Sequence, residues 1–167
     1  MRKISNSGKG DDAMVTPSKE MIMVVDDEET IRNWLRKFFT YEGFEVESFG
    51  TYDSALTYAQ HHHIDLCITD LNLNDPDQSK DGIALLKQLK QTDLKMEIII
   101  LTGSASPQTS SEAMKHGAFY YASKPIALDE IRLLTRRALE YKRIRKPSWI
   151  MPQRLPPSRP NSDNYAD

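Results

Sequence analysis

The stretch MIMVVDDEETIRNWLRKFFTYEG, residues 21–43, sets the architecture. Residues 21–25 are apolar at every position and rich in β-branched side chains, the pattern of a strand covered on both faces rather than one. Two carboxylates, Asp26 and Asp27, follow at once. Ile31, Trp34, Leu35 and Phe38 then recur at helical spacing, and the pattern stops at Gly43. A doubly covered strand that runs into a helix is the repeating unit of a parallel α/β sheet.

The chain continues in the same alternation. FEVESF (44–49) alternates like a short strand. TYDSALTYAQHH (51–62) starts on an N-cap residue, Thr51, with Leu56 and Ala59 on its inner face. DLCIT (65–69) precedes GIALLKQLK (82–90), and EIIIL (97–101) precedes PQTSSEAMKHG (107–117), with Pro107 in the first helical turn and Gly117 closing it. AFYYA (118–122) leads into the long amphipathic LDEIRLLTRRALEYKRIR (128–145). Five such units predict an α/β fold, a five-stranded parallel sheet doubly wound by five helices. In such a sheet ligands bind at the carboxyl ends of the strands, beside the point where strand order reverses.

Outside this core the composition changes. Residues 1–19 are Ser/Gly/Lys/Asp-rich without periodicity and read as a flexible arm. Residues 147–167 are proline-rich and polar and read as a disordered tail. The predicted domain is therefore 20–146. Net charge is −2, unevenly spread: residues 142–167 carry six Lys/Arg against two Asp/Glu, and residues 21–141 hold −7. An acidic domain without a broad basic face argues against nucleic-acid binding. No apolar run is long enough to span a bilayer or form a secretory signal, and the single cysteine, Cys67, sits in a strand as a small buried residue. Together these predict a cytoplasmic protein with no membrane insertion.

The strand ends hold the chemistry. The first ends on Asp26 and Asp27, the third on Asp70, the fourth on Thr102, and the fifth is followed by Lys124–Pro125. Three carboxylates brought together raise one another's pKa unless a cation lies among them. An oxygen-only cluster suits Mg²⁺, which takes one or two carboxylates plus phosphate and keeps several waters. Lys124 offers a point charge for a phosphoryl oxygen or for ionised Asp70, and Thr102 offers a hydroxyl. A carboxylate so flanked is equipped to accept a phosphoryl group.

These residues, with DG at 81–82, LTG at 101–103, AMKHGA at 113–118 and YASKP at 121–125, resemble the receiver domain of a two-component response regulator over roughly residues 20–145. The resemblance implies a flavodoxin-like sheet of strand order 2-1-3-4-5. It makes Asp70 the phosphoacceptor, with Asp26, Asp27, Asp70 and the backbone carbonyl of Asn72 binding Mg²⁺. Lys124 would contact the phosphoryl group through a cis Lys124–Pro125 bond, and Thr102 and Tyr121 would be the switch residues. The implied partners are a histidine kinase or phosphotransfer protein and a downstream protein on the face of the fourth helix, fifth strand and fifth helix, with a homodimer open. The domain would not be an enzyme beyond Mg²⁺-dependent self-phosphorylation and autodephosphorylation.

One departure stands out. LNLNDPDQSK (71–80) lengthens the loop after Asp70, places Asn74 where the family usually has proline, and adds Asp75 and Asp77 beside the site. With no DNA-binding pattern after Arg145, the sequence reads as a stand-alone switch that signals by protein–protein contact. The alternative is a pseudo-receiver, a constitutive scaffold of the same fold. A flavin enzyme is disfavoured, because VVDDEETIR lacks the glycines that cradle a phosphate. His61–His63 read as a solvated helix end rather than a metal site, Trp34 and Phe38 as core packing, and YKRIRK (141–146) as the exposed end of the last helix.

Overall fold

The computed structural model describes residues 19–145. The predicted arm, apart from Lys19, and the predicted tail lie outside the described residues. Within them the elements alternate as β1 (Met21–Val25), α1 (Glu29–Tyr41), β2 (Glu45–Phe49), α2 (Tyr52–Ala59), β3 (Leu66–Thr69), α3 (Gly82–Thr92), β4 (Glu97–Thr102), α4 (Pro107–Lys115), β5 (Tyr120–Ser123) and α5 (Leu128–Ile144). All pairings are parallel, in the order β2-β1-β3-β4-β5. The reversal of order falls between β1 and β3, so their carboxyl ends border the crevice where such sheets hold ligands.

Alternation along the strands explains the two-sided core. Ile22, Val24, Leu66, Ile68, Ile99 and Leu101 face one way and pack on Leu35 and Phe39 of α1 and Ile131, Leu134 and Ala138 of α5. Met23, Val25, Cys67, Ile98 and Ile100 face the other way and pack on α2, α3 and α4. Each central strand is buried on both faces, which is why it reads as an unbroken apolar run. Burial also pushes the Cys67 thiol well up, which suits its packing role.

The turns follow their residue chemistry. Thr51 caps α2 by accepting from the Ser54 amide, and Gly43 and Gly117 take positive φ after α1 and α4, where only glycine does so without steric cost. His61 and His62 are exposed at the end of α2, each with Nδ1 at 2.9 Å from a carbonyl one turn back, as a solvated terminus requires.

One expectation fails. Trp34 is not core: it is 38% exposed and stacks on Phe38, which alone of the two reaches the buried cluster. The indole sits one position round the helix from Leu35, which takes the inward place. The basic end of α5 is exposed as expected, at Tyr141, Arg143, Ile144 and Arg145, and its cations are also paired. Lys142 donates to Asp65 at 2.5 Å, Arg143 to Glu20 at 2.7 Å, and Arg145 lies 3.3 Å from Glu97. These acids stand where β1, β3 and β4 begin, so charge complementarity pins α5 to the amino-terminal edge of the sheet. Burial opposes ionisation of Asp65, but hydrogen bonds from Lys142 and the Met21 amide hold its carboxyl below the usual carboxylate range.

A depressed carboxylate stabilises the fold above its unfolded pKa and loses that contribution as pH falls through its folded value. Asp65→Asn is therefore expected to cost about 2 kcal/mol at neutral pH. The gap to wild type should close on acidification below the ordinary carboxylate range, measured as urea unfolding midpoints across pH.

Candidate functional site

The site forms where β1, β3 and β5 end. The Asp70 amide donates to the Val25 carbonyl, so the last rung between β1 and β3 sets the Asp70 side chain beside Asp26. The Glu28 amide donates to Asp26 Oδ1 at 2.9 Å, and the Asn72 amide to Asp70 Oδ1 at 3.2 Å. Each buried carboxylate thus spends one oxygen on a backbone amide and turns the other inward. Lys124 Nζ takes both inward oxygens, donating to Asp26 Oδ2 at 2.6 Å and to Asp70 Oδ2 at 2.8 Å. Its position follows from β5, for the Lys124 amide donates to the Thr102 carbonyl at the end of β4, and the Lys124–Pro125 bond is cis.

Asp26, Asp27 and Asp70 offer carboxylate oxygens that all lie within 4.8 Å of one another. Asp26 and Asp70 are buried and Asp27 is exposed, so the cluster opens to solvent through Asp27. Burial outweighs the hydrogen bonds from Lys124 and Glu28 and raises the Asp26 pKa. For Lys124 burial works downward, but bonds to Asp26 and Asp70 win and hold its proton more firmly than in water. Three carboxylates against one ammonium leave a deficit of positive charge. This hard-oxygen donor set fits a small divalent cation such as Mg²⁺.

The loops around the cluster come from both sheet halves. Thr102 is fully buried, and its Oγ1 accepts from the Ser104 amide at 3.2 Å. Asn72 Nδ2 donates to Ser104 Oγ at 2.5 Å, which ties the loop after β3 to the loop after β4. Tyr121 is half-buried, with its hydroxyl 2.6 Å from Thr109 Oγ1 in the first turn of α4. That threonine shares a reciprocal capping box with Ser106. Thr109 and Ser104 were not legible from motif spacing, because hydroxyl residues near a helix start ordinarily signal only a cap.

Asp75 and Asp77 do not join the cluster. Asp75 Oδ1 accepts from the Asp77 amide and Asp77 Oδ1 from Ser79, so both serve local turns in which short side-chain acceptors replace backbone pairing. The loop after β3 is held instead by buried Leu71 and Leu73 and by Asn74, whose φ of 46° lies in the left-handed region. Proline cannot adopt that conformation and asparagine tolerates it, so the backbone here suits Asn74.

The description "Response regulator receiver domain" fits residues 22–136. This chain belongs to that family. It contains the receiver domain of a two-component system, with the doubly wound sheet of that family. The regulatory protein AtoC of Escherichia coli (strain K12) is 33% identical over 125 residues, covering 75% of this chain and 26% of that protein. The chain thus spans about a quarter of the length of the curated relatives it matches. Among solved structures, a CheY-like receiver domain protein from Methanospirillum hungatei JF-1 has 27% identity and a TM-score of 0.71 over 75% of this chain and 98% of that one. A response regulator from Burkholderia pseudomallei, with a phosphorylated aspartic acid, calcium ion and citrate, has 29% identity and a TM-score of 0.64 over 74% of this chain and 71% of that one.

The receiver's DG pair has a steric reason here. A Cβ on Gly82 would lie 2.1 Å from the Asp70 carbonyl oxygen, while the Gly82 amide donates to the Leu71 carbonyl at 2.7 Å. Helix α3 starts directly against the backbone of Asp70, and Asp81 caps it by accepting from Ala84. Gly82→Ala must push α3 away from Asp70. The expected cost is about 1–3 kcal/mol of stability, as for other overpacked positions, read as a lowered urea midpoint.

Proposed function

We propose that this receiver accepts a phosphoryl group on Asp70 from a histidine kinase or phosphotransfer protein, and that the modified domain signals by protein–protein contact. The observation that carries the reading is the Lys124 ammonium shared between Asp70 and Asp26 at the ends of three strands. Asp26, Asp27, Asp70 and the backbone carbonyl of Asn72 would hold Mg²⁺. The ion would neutralise charge on the phosphoryl oxygens.

The chain's own residues do the rest. Asp70 Oδ attacks phosphorus, the bond to the donor's leaving group breaks with its electron pair, and an acyl phosphate remains. Lys124 already stands 2.8 Å from Asp70 Oδ2, where it can move to an incoming phosphoryl oxygen while Asp26 keeps it oriented. The new charge offers acceptors to the Thr102 hydroxyl, whose present contacts, an amide at 3.2 Å and a hydroxyl at 3.4 Å, are long and easily exchanged. Movement of Thr102 and its loop would draw Tyr121 with it, because the Tyr121 hydroxyl bonds to the start of α4.

The face of α4, β5 and α5 is the proposed output surface. Met114, Tyr120 and Leu133 on these elements are exposed, as docking surfaces require. A downstream protein or a second copy would use this face. No described helix is long and apolar enough to cross a membrane, which agrees with a proposed cytoplasmic site of action.

Exposure of purified protein to acetyl phosphate, followed by intact mass, tests the reading. Wild type should gain one phosphoryl group only with Mg²⁺, and Asp70→Asn should gain none. No uptake by folded wild type would leave the constitutive scaffold as the better account. Thr102→Ala should take up phosphate yet leave Tyr121 unchanged on phosphorylation, followed by the NMR signals of the Tyr121 ring.

A further inference from the structure

We infer that Arg32 is a positioning residue for the carboxylate cluster, clamping the β1–α1 loop so that Asp26 and Asp27 point where a divalent cation needs them. The inference rests on the reading of Asp26, Asp27 and Asp70 as cation ligands and concerns a residue that never touches the cation.

The loop between β1 and α1 needs an external hold. Glu28 stands at the N-cap of α1 and makes no side-chain cap bond, so the usual fastening of a helix entrance is absent. Arg32, on the first turns of α1, supplies another. Its Nη1 donates to the backbone carbonyl of Asp26 at 2.6 Å and to that of Asp27 at 2.9 Å. One guanidinium nitrogen thereby fixes two consecutive peptide planes, the planes that carry two of the three clustered carboxylates. The Asp26 amide is fixed in turn by the Phe49 carbonyl at 3.1 Å, so the loop is held from α1 on one side and from β2 on the other.

A second element of the chain leaves room for this clamp. Gly50 follows Phe49, and a Cβ built there would lie 3.0 Å from Arg32 Nη1 and 3.3 Å from its Cζ. No positive φ explains this glycine; its backbone conformation is open to any residue. The guanidinium fills the space that a side chain would take. An arginine from α1 and a glycine after β2 therefore converge on the two carbonyls behind the cluster.

Charge and position predict opposite signs, which makes the inference decisive to test. A guanidinium close to the cluster repels a second cation, so removing its charge alone would tighten cation binding. Removing a clamp would loosen it, because Mg²⁺ tolerates little departure from octahedral geometry at short distances and outer partners of ligands are worth about tenfold or more in affinity.

The experiment is titration calorimetry of Mg²⁺ into the unphosphorylated full chain, for wild type, Arg32→Ala, Gly50→Ala and the double variant. Arg32→Ala should bind about tenfold more weakly. Gly50→Ala, which keeps the arginine but crowds it, should lose less, and should lose nothing further in the Arg32→Ala background, since both act through one contact. Wild-type or tighter affinity in Arg32→Ala overturns the inference, and so do independent, additive losses. A folded wild type with no Mg²⁺ affinity overturns the ligand reading itself and the role of Arg32 with it. The two failures are thus distinct.

Discussion

The ammonium of Lys124 between Asp26 and Asp70 is the contact on which the rest of this structure turns. Two buried carboxylates side by side call for a counter-charge, because taking a charge out of water costs more than a single backbone hydrogen bond returns. The lysine answers that demand from β5, the outermost strand on its side, which must therefore lie in register with β4 and bring its end to the same edge as β1 and β3. Three carboxylates still face one ammonium, and burial raises the Asp26 pKa even with the lysine beside it. The fold carries a local electrostatic tension at the ends of β1 and β3, where the proposed cation and phosphoryl group would redistribute charge.

Much of this was legible in the sequence, for a physical reason. Parallel strands buried on both faces must be apolar at every position, so MIMVV and EIIIL announce central strands. The polar residue after each run marks the strand end, Asp26 after MIMVV and Thr102 after EIIIL, whereas Asp70 follows a strand whose own last residue, Thr69, is polar and buried. The loop residues behind the cluster were not legible. Arg32 looks like any charged residue on the outer face of an amphipathic helix, since helical periodicity says which face is apolar and nothing about which polar side chain folds back onto a carbonyl. Gly50 reads as a plain turn glycine.

The misreading of Trp34 has a physical cause. Helical spacing sets Trp34 beside Leu35 on the apolar stripe, yet packing geometry gives Leu35 the inward place. A large aromatic at the margin of an apolar stripe stays half in water when a neighbour fills the inward position. Lysine and arginine at a helix end lose their freedom when acids stand within reach of their long stems. Asp75 and Asp77 illustrate the converse, because acids close in sequence to a carboxylate cluster were taken up by the turns they themselves create.

The three ion pairs at the end of α5 anchor Arg145 to the edge where strands begin, whereas Asp70 lies where they end. The two poles are separated by the length of a strand, about 15–20 Å. Arg145 therefore stands at the pole farthest from Asp70. None of the three pairs shares a residue with the carboxylate cluster, so the end of α5 owes its place to charges at the opposite edge of the sheet.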